Sequence, residues 1–475
     1  MEHAKLRPNC LGFVELLAQA TALISPTMTA ALIVPVMYSN TGDFSWLSYA
    51  VGTVMLLFVA FNLNQFARRS TSSGSMYAYI SRGLGLKVGA IGAWSLIWAY
   101  LGIAMAGVTG FTIFAGKLLN MVGLDLPPIV LFAICVAIAW ACAWKNVRLS
   151  ATLMLILEVA SMALITVLCL IVLGKHGFAV DTAQFDLSKV PLKGLGLGVV
   201  VAIFSLVGFE CATAFGEEAR DPLKTIPRAV TVSLVVSGLF FVFVAYTEVL
   251  GVRGYSQPLS ALDAPLNTLS TLYHVPIFAA PLSAGAMVSF FALCLSCVNA
   301  GGRLIYALGR HGILPEATGG AHKTNETPHV AVSIMSAIAF LVPTAMILGK
   351  VAPLDAFNFV GTLAAFGFLV AYFLITVAAP VYLKALGQLK AGHLGMAGAA
   401  ILLMLLPAVG SVYPVPPAPV LYFPYLFLAY LAVGIVWVLI FYGRKPTASE
   451  TIRLDLDQSH ARFQPAMVLE AAKQA

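Results

Sequence analysis

Apolar residues in this chain run in long blocks, with neither the strict alternation of a half-buried strand nor the narrow stripe of a surface helix. About 20 apolar residues in a helix cross the roughly 30 Å hydrocarbon layer of a bilayer. On that reading twelve spans are predicted, near residues 11–38, 44–66, 88–116, 128–143, 151–174, 196–216, 228–250, 278–308, 330–348, 355–381, 397–413 and 421–442. Polar residues gather between the blocks, so the fold class expected is an all-α integral membrane protein. The first block is read as a span and not as a cleavable signal, because Glu15 and Gln19 interrupt it and it is too long.

Composition agrees. Hydrophobic residues make up 60% of the chain and charged residues only 10%, with a mean hydropathy of +0.92. Basic residues accumulate in cytoplasmic loops. With a cytoplasmic N-terminus, only Lys117, Lys175, Lys189, Lys193, Arg253 and Lys350 fall outside, leaving 21 of the 27 Lys and Arg on the inner side. Both termini are therefore expected in the cytoplasm of a cell with this protein in its inner membrane. The net charge of +7 then reflects topology, and no nucleic-acid partner is implied.

Several classes of chemistry are excluded. All seven cysteines lie in or beside apolar spans, and Cys294 and Cys297 share a helix face as small packing residues, so neither a disulfide nor a zinc or redox pair is expected. No phosphate loop, nucleophile elbow or metal-ligand cluster occurs. The chain is read as no enzyme and as needing no cofactor or metal, and residues 443–475 read as a cytoplasmic tail too short and polar to fold alone.

The most informative polar interruption runs from Gly208 to Arg228. Glu210 lies mid-span, where a charge costs about 2.5–3.5 kcal/mol on insertion scales. The span closes with Glu217, Glu218, Arg220, Asp221, Pro222 and Lys224, an elbow expected to restart as helix at Ile226 and Pro227. A second interruption lies in the first span, where Pro26 removes a backbone donor within Ser25 to Ala30.

Three stretches together carry a family resemblance. Ser73-Gly74-Ser75-Met76-Tyr77-Ala78-Tyr79, followed by Arg82-Gly83-Leu84-Gly85, is similar to an SGGxYxY element after the second helix. Gly208-Phe209-Glu210 with Glu217-Glu218 and then Asp221 to Ala229 forms the second. Asn299 to Pro315, then Pro328, forms the third, an NAxxRxxYAxxRDGxLP-like loop. In this order they resemble the amino acid-polyamine-organocation transporter family, over residues 11 to 442. The resemblance implies a LeuT-type fold of about twelve transmembrane helices, in which helices 1 to 5 and 6 to 10 form a 5+5 inverted repeat. Helices 1 and 6 are broken and two further helices are peripheral. The implied organisation is an N-terminus over 1–10, a ten-helix transport core over 11–381, two peripheral helices over 382–442 and a tail over 443–475. Two breaks at corresponding places in the halves support this independently.

The implied function is alternating-access transport of an amino acid or related small amine, coupled to protons, with membrane lipid as its surroundings. A polyamine or alkanolamine carrier or exchanger is the alternative, then a sodium symporter. A membrane sensor on the same scaffold is disfavoured by the lack of a signalling domain. Substrate-binding residues are expected at the breaks, namely Ser25, Thr27, Met28, Thr29 and Ala30, and Phe204, Ser205, Gly208 and Glu210. Where relatives have a GSG-like triplet for a substrate carboxylate, this chain has Met28-Thr29-Ala30, so the substrate is either held by the threonine hydroxyls or lacks a carboxylate. Gln65 and His311 replace a glutamate and an aspartate.

Individual side chains keep two readings. Phe204 stands where relatives place an aromatic that closes over the solute, or else it packs. Glu210 either caps freed amides of its broken helix or meets solute or proton. Glu158, near 15 Å deep at about 1.5 Å per residue, either bonds a neighbouring helix or carries the coupling proton. A lysine of sodium-independent relatives aligns on Ser161, which leaves open a sodium site there. Glu158 and Glu210 are read as the only acids deep enough for coupling. Glu15 is expected in an inner-mouth network, with Glu217, Glu218, Arg220 and Arg303 forming either a gate or a solvated rim. Trp94, Trp98 and Tyr100 are read as packing residues, Tyr100 within reach of the cavity, and Trp46 as an interfacial anchor.

Overall fold

A computed structural model describes residues 6–461 apart from 71–73, 146, 263, 414, 416 and 446. Ser73 of the first motif, and Lys5, Arg462 and Lys473 of the charge pattern, lie outside the described residues. Among those described, eleven segments are long and apolar enough to cross a membrane. The first, Phe13–Ala67, holds two successive helices, which makes twelve crossings.

These are α1 over residues 13–41, α2 (Ser45–Ala67), α3 (Leu86–Met121), α4 (Pro128–Lys145), α5 (Val147–Lys175), α6 over residues 192–215, α7 (Pro222–Gly251), α8 (Ala279–Arg310), α9 (His329–Leu348), α10 (Pro353–Ala385), α11 (Ala391–Gly410) and α12 (Phe423–Arg444). A further helix, α13 (Ala448–Ala461), follows. Short helices Met76–Leu84 and Pro265–Leu272 sit between α2 and α3 and between α7 and α8. Helix α3 forms the spine, packed along both α8 and α10. Helices α11 and α12 lie outside this group, α11 against α2, α6 and α10, and α12 against α3 and α10.

Both expected breaks are present. α1 consists of Phe13–Ile24, then Pro26–Met28, a wide π turn at Thr29–Ile33, and Val34–Thr41. The hinge is Ser25, in the left-handed region at φ 52, with Pro26 opening the next segment where its missing N–H is harmless. α6 consists of Leu192–Leu206 and a 3-10 stretch Phe209–Phe215. Gly208 between them has φ 103, a conformation natural only to glycine. A Cβ there would lie 2.0 Å from Leu23 Cδ2, so the two breaks pack directly against each other.

Two starts differ most from expectation: α11 begins at Ala391, six residues before the expected 397, and the other is α7. α7 starts at Pro222, six residues before the expected 228, because Asp221 with φ 46 presents its carbonyl to Lys224 N and Thr225 N and begins the first turn. Pro227 lies inside the helix instead of opening it.

The two ends of the bundle carry different ion pairs. On the side rich in basic residues, Arg303 is 0% exposed and its guanidinium pairs with Glu218, 1% exposed, through Nε to Oε2 and Nη2 to Oε1 at 2.8 Å. The Arg303 guanidinium also lies 4.4 Å from the Phe215 ring centroid and donates to Asn299 O. The start of α1 is strapped to this place, since Cys10 N and Leu11 N donate to Glu218 O and Arg220 N donates to Leu11 O. Glu218 and Arg303 therefore form a buried lock and no solvated rim, whereas the Arg220 side chain is exposed and donates to Asn9 O. On the opposite side the exposed Arg253 bridges Asp43 and Asp181, each at 2.9 Å. Burial pushes the Asp181 carboxyl up, but hydrogen bonds from Gln184 and Arg253 outweigh it and hold the group below the usual carboxylate range.

Candidate functional site

The site is built where α1 and α6 lose their helical ladders, because backbone polar groups at membrane depth are tolerated only where protein or a water-filled cavity covers them. Ser25, Thr27, Met28, Thr29, Ala30, Ser205, Gly208 and Glu210 are all buried at the two breaks. Phe204 beside them is half-buried.

Glu210 is surrounded by donors. Its Oε2 accepts from Gly208 N at 3.0 Å and from Tyr372 Oη at 2.6 Å, and its Oε1 accepts from Tyr100 Oη at 3.1 Å. The carboxylate thus caps the amide freed by its own break and is held from α3 and α10 as well. Tyr100 is therefore a partner of Glu210. Tyr372 was missed by sequence reasoning, since nothing in the sequence places a tyrosine 162 residues away against this carboxylate.

Glu158 is 1% exposed and reaches from α5 to the other break, where its Oε1 accepts from Thr27 N at 2.9 Å. Its Oε2 and the hydroxyls of Thr27 and Thr29 make no close hydrogen bond, although the Ser289 and Thr27 side chains lie near the carboxylate. Buried polar atoms are ordinarily satisfied, and these three unmet oxygens gather at the α1 break. Ser25 Oγ meets Ser289 Oγ of α8 at 2.8 Å beside it. Ser161, one turn along α5, donates to Leu157 O, and a Cβ on Gly285 of α8 would come within 2.6 Å of its oxygen. α5 and α8 are therefore in close contact at Ser161. Among the described residues no group of three or more His, Cys, Asp or Glu is arranged to hold a metal ion.

Phe204 lies against Gly361 of α10, whose Cβ would be 2.6 Å from the ring, and edge-on to Phe357 at 6.4 Å. Phe357 meets Phe290 at 5.7 Å, and Phe290 meets Phe114 at 5.8 Å. An aromatic wall thus extends from the α6 break toward α8 and α3. Ser205 Oγ donates to Val201 O and lies 3.4 Å from Tyr49 Oη.

A third acid belongs with these two. Glu248 near the end of α7 is 0% exposed, and neither of its oxygens has a partner. The reading that only Glu158 and Glu210 are deep enough is corrected here. The surroundings of Glu248 come from other helices, since Cys169 of α5 and Tyr49 of α2, both buried, lie within electrostatic reach.

The remaining predicted residues are less central. Glu15 Oε2 accepts from Gly12 N, closing the first turn of α1. Gln65 accepts from Arg69 through Oε1. Trp94 and Trp98 stack around Tyr430 and donate to Tyr430 O and Leu363 O. Trp46 donates to Gln184 O.

Comparison with known proteins agrees with this architecture. The profile of the family described as amino acid permease matches residues 20–451. A branched-chain amino acid permease of Bacillus subtilis is 24% identical over 362 residues, covering 71% of this chain and 73% of that protein. A low-affinity putrescine importer of Escherichia coli is 26% identical over 304 residues, covering 62% of this chain and 66% of its own length. A vacuolar cationic amino acid transporter of Arabidopsis thaliana is 26% identical over 382 residues, covering 75% of this chain and 61% of that protein.

Proposed function

The chain belongs to the amino acid permease family, and we propose that it imports an amino acid or related small amine across the inner membrane by alternating access, coupled to protons. Membership makes it a multi-pass membrane transporter and not an enzyme. In the proposed arrangement both termini are cytoplasmic and residues 11–381 are the moving core, with 382–442 peripheral. The solute lies between the breaks, against Ser25 to Ala30 and Phe204 to Glu210.

The observation that carries the coupling is the environment of Glu158. One oxygen anchors the broken α1 at Thr27 N and the other is unmet. A proton on that oxygen would be felt directly by the hinge at Ser25, two residues away. Glu210, with three donors on its two oxygens, is proposed to shape the α6 side of the pocket and to present the solute's ammonium group with a fixed negative end. Phe204 is the aromatic that closes over the solute.

Two features favour a diamine as second reading: Met28-Thr29-Ala30 replaces the glycine-rich triplet that would approach a carboxylate, and a putrescine importer is among the relatives. Purified protein in liposomes, offered branched-chain and cationic amino acids, putrescine and ethanolamine under separate proton and sodium gradients, tests both readings. Uptake that follows the proton gradient supports the first part, and the preferred solute decides the second. Uptake that follows sodium and ignores pH would overturn the coupling.

A further inference from the structure

The tail helix α13 is polar in sequence, yet Ile452 and Leu456 on one face are buried in the core at 1% and 5% exposure. Its polar contacts among the described residues fall within one turn, Asp455 to Asp457. Asp455 accepts from Arg310 at 2.5 Å and lies 3.0 Å from His311 Nε2. The second nitrogen of His311 meets Tyr77 Oη at 2.7 Å. Arg82 donates to Leu456 O at 2.6 Å and faces Asp457 at 3.6 Å. Arg310 donates at the same time to Glu217 at 3.1 Å.

These partners come from three separate places. Tyr77 and Arg82 lie on the short helix Met76–Leu84, Arg310 and His311 end α8, and Glu217 follows the break of α6. They are also the three motif regions of the sequence. α13 therefore ties the end of α8 directly to the short helix Met76–Leu84 and, through Arg310, touches the segment after α6 that borders the buried Arg303–Glu218 pair. Glu217 is adjacent to Glu218, and Arg310 lies two turns beyond Arg303 on α8. Within this network the Glu217–Arg310 bond joins the α6 segment to α8, and α13 bears on it through Asp455, which holds the same guanidinium.

We propose that α13 is a latch that holds the inner mouth shut and limits the rate of inward opening. The inference rests on the proposed transport reading for which mouth is inner. The charges at its centre are few and partly exposed, Arg310 at 24% and Asp455 at 30%, so the latch is reversible where the buried lock beneath is rigid.

The test uses the full chain in liposomes and two variants of the contact, Asp455→Asn and His311→Asp, the second placing two carboxylates face to face. Two quantities are read. The first is the initial rate of uptake. The second, which needs no transported solute, is labelling of Cys10 by a membrane-impermeant maleimide, measured by mass spectrometry in a Cys142→Ser background. Cys10 is strapped to Glu218 O at the closed mouth, and burial pushes its thiol up to about 11, so labelling is slow until the mouth opens. Both variants are expected to label Cys10 faster by about fivefold, the lower end of typical site-to-site coupling, and to raise the rate of uptake. Unchanged labelling in both variants, with thermal melting like that of the parent, would overturn the latch. Faster labelling in a preparation that takes up none of the solutes offered would keep the latch and count against the transport reading instead.

Discussion

Glu210 and Glu158 are two buried carboxylates at two helix breaks, and they differ in how completely they are met. Glu210 receives donors from its own break, from α3 and from α10. Glu158 receives one close bond, from the α1 break, and its second oxygen has only the looser neighbourhood of the Thr27 and Ser289 side chains. A fully satisfied network rigidifies, whereas a buried oxygen left unmet carries a desolvation cost that a proton or partner would relieve. On the proposed reading the contrast puts geometry at α6 and exchange at α1, although from sequence both acids look alike: a lone glutamate in an apolar span.

The largest effect should come from Glu158→Gln. The amide keeps an oxygen for Thr27 N but cannot take up and release a proton, so accumulation driven by a proton gradient should fall by about a hundredfold, roughly 2.7 kcal/mol. Solute binding, read by scintillation proximity, should survive. If gradient-driven accumulation persists in the folded variant, the assignment of exchange to α1 fails.

Gly208→Ala attacks the other side of the comparison. Alanine at φ 103 carries backbone strain of about 1–3 kcal/mol, and its Cβ would collide with Leu23. Lower thermal stability and weaker solute binding are expected together. A variant that melts like the parent would mean that the contact between the breaks is loose.

Tyr372→Phe removes the shortest bond to Glu210. A hydrogen bond to a charged group contributes about 1.5–3 kcal/mol, so KM should rise about tenfold while the response to the proton gradient stays intact. Loss of the pH response with KM unchanged would shift exchange to α6.

The smallest effect is expected at Phe204. Phe204→Ala loses edge contacts worth about 0.5–1.5 kcal/mol, which predicts a rise of severalfold in KM with melting unaltered. Uptake kinetics identical to the parent would make Phe204 a packing residue only.

The breaks were legible in the sequence because residue type announces them: Pro26 cannot continue a helical ladder, and a glycine before a mid-span acid signals backbone that must bend. The spans were legible from apolar length alone. What α1 and α6 bond to was not, since Thr27 and Glu158 are 131 residues apart and only packing brings them together. Glu248 was not singled out because its buried surroundings come from other helices, which the sequence does not show. The docked α13 was hidden by its own polar composition: two buried side chains and a turn of ion pairs hold it, and such contacts leave no apolar period to read.

The claim that Glu158 and not Glu210 carries the exchanged proton has a direct measurement. Liposomes loaded with a pH-sensitive dye and holding the parent, Glu158→Gln or Glu210→Gln are given a saturating solute with no imposed gradient, and internal acidification is followed. Acidification with the parent and with Glu210→Gln, and none with Glu158→Gln despite retained solute binding, is the predicted result. Acidification that survives in Glu158→Gln and disappears in Glu210→Gln would contradict it.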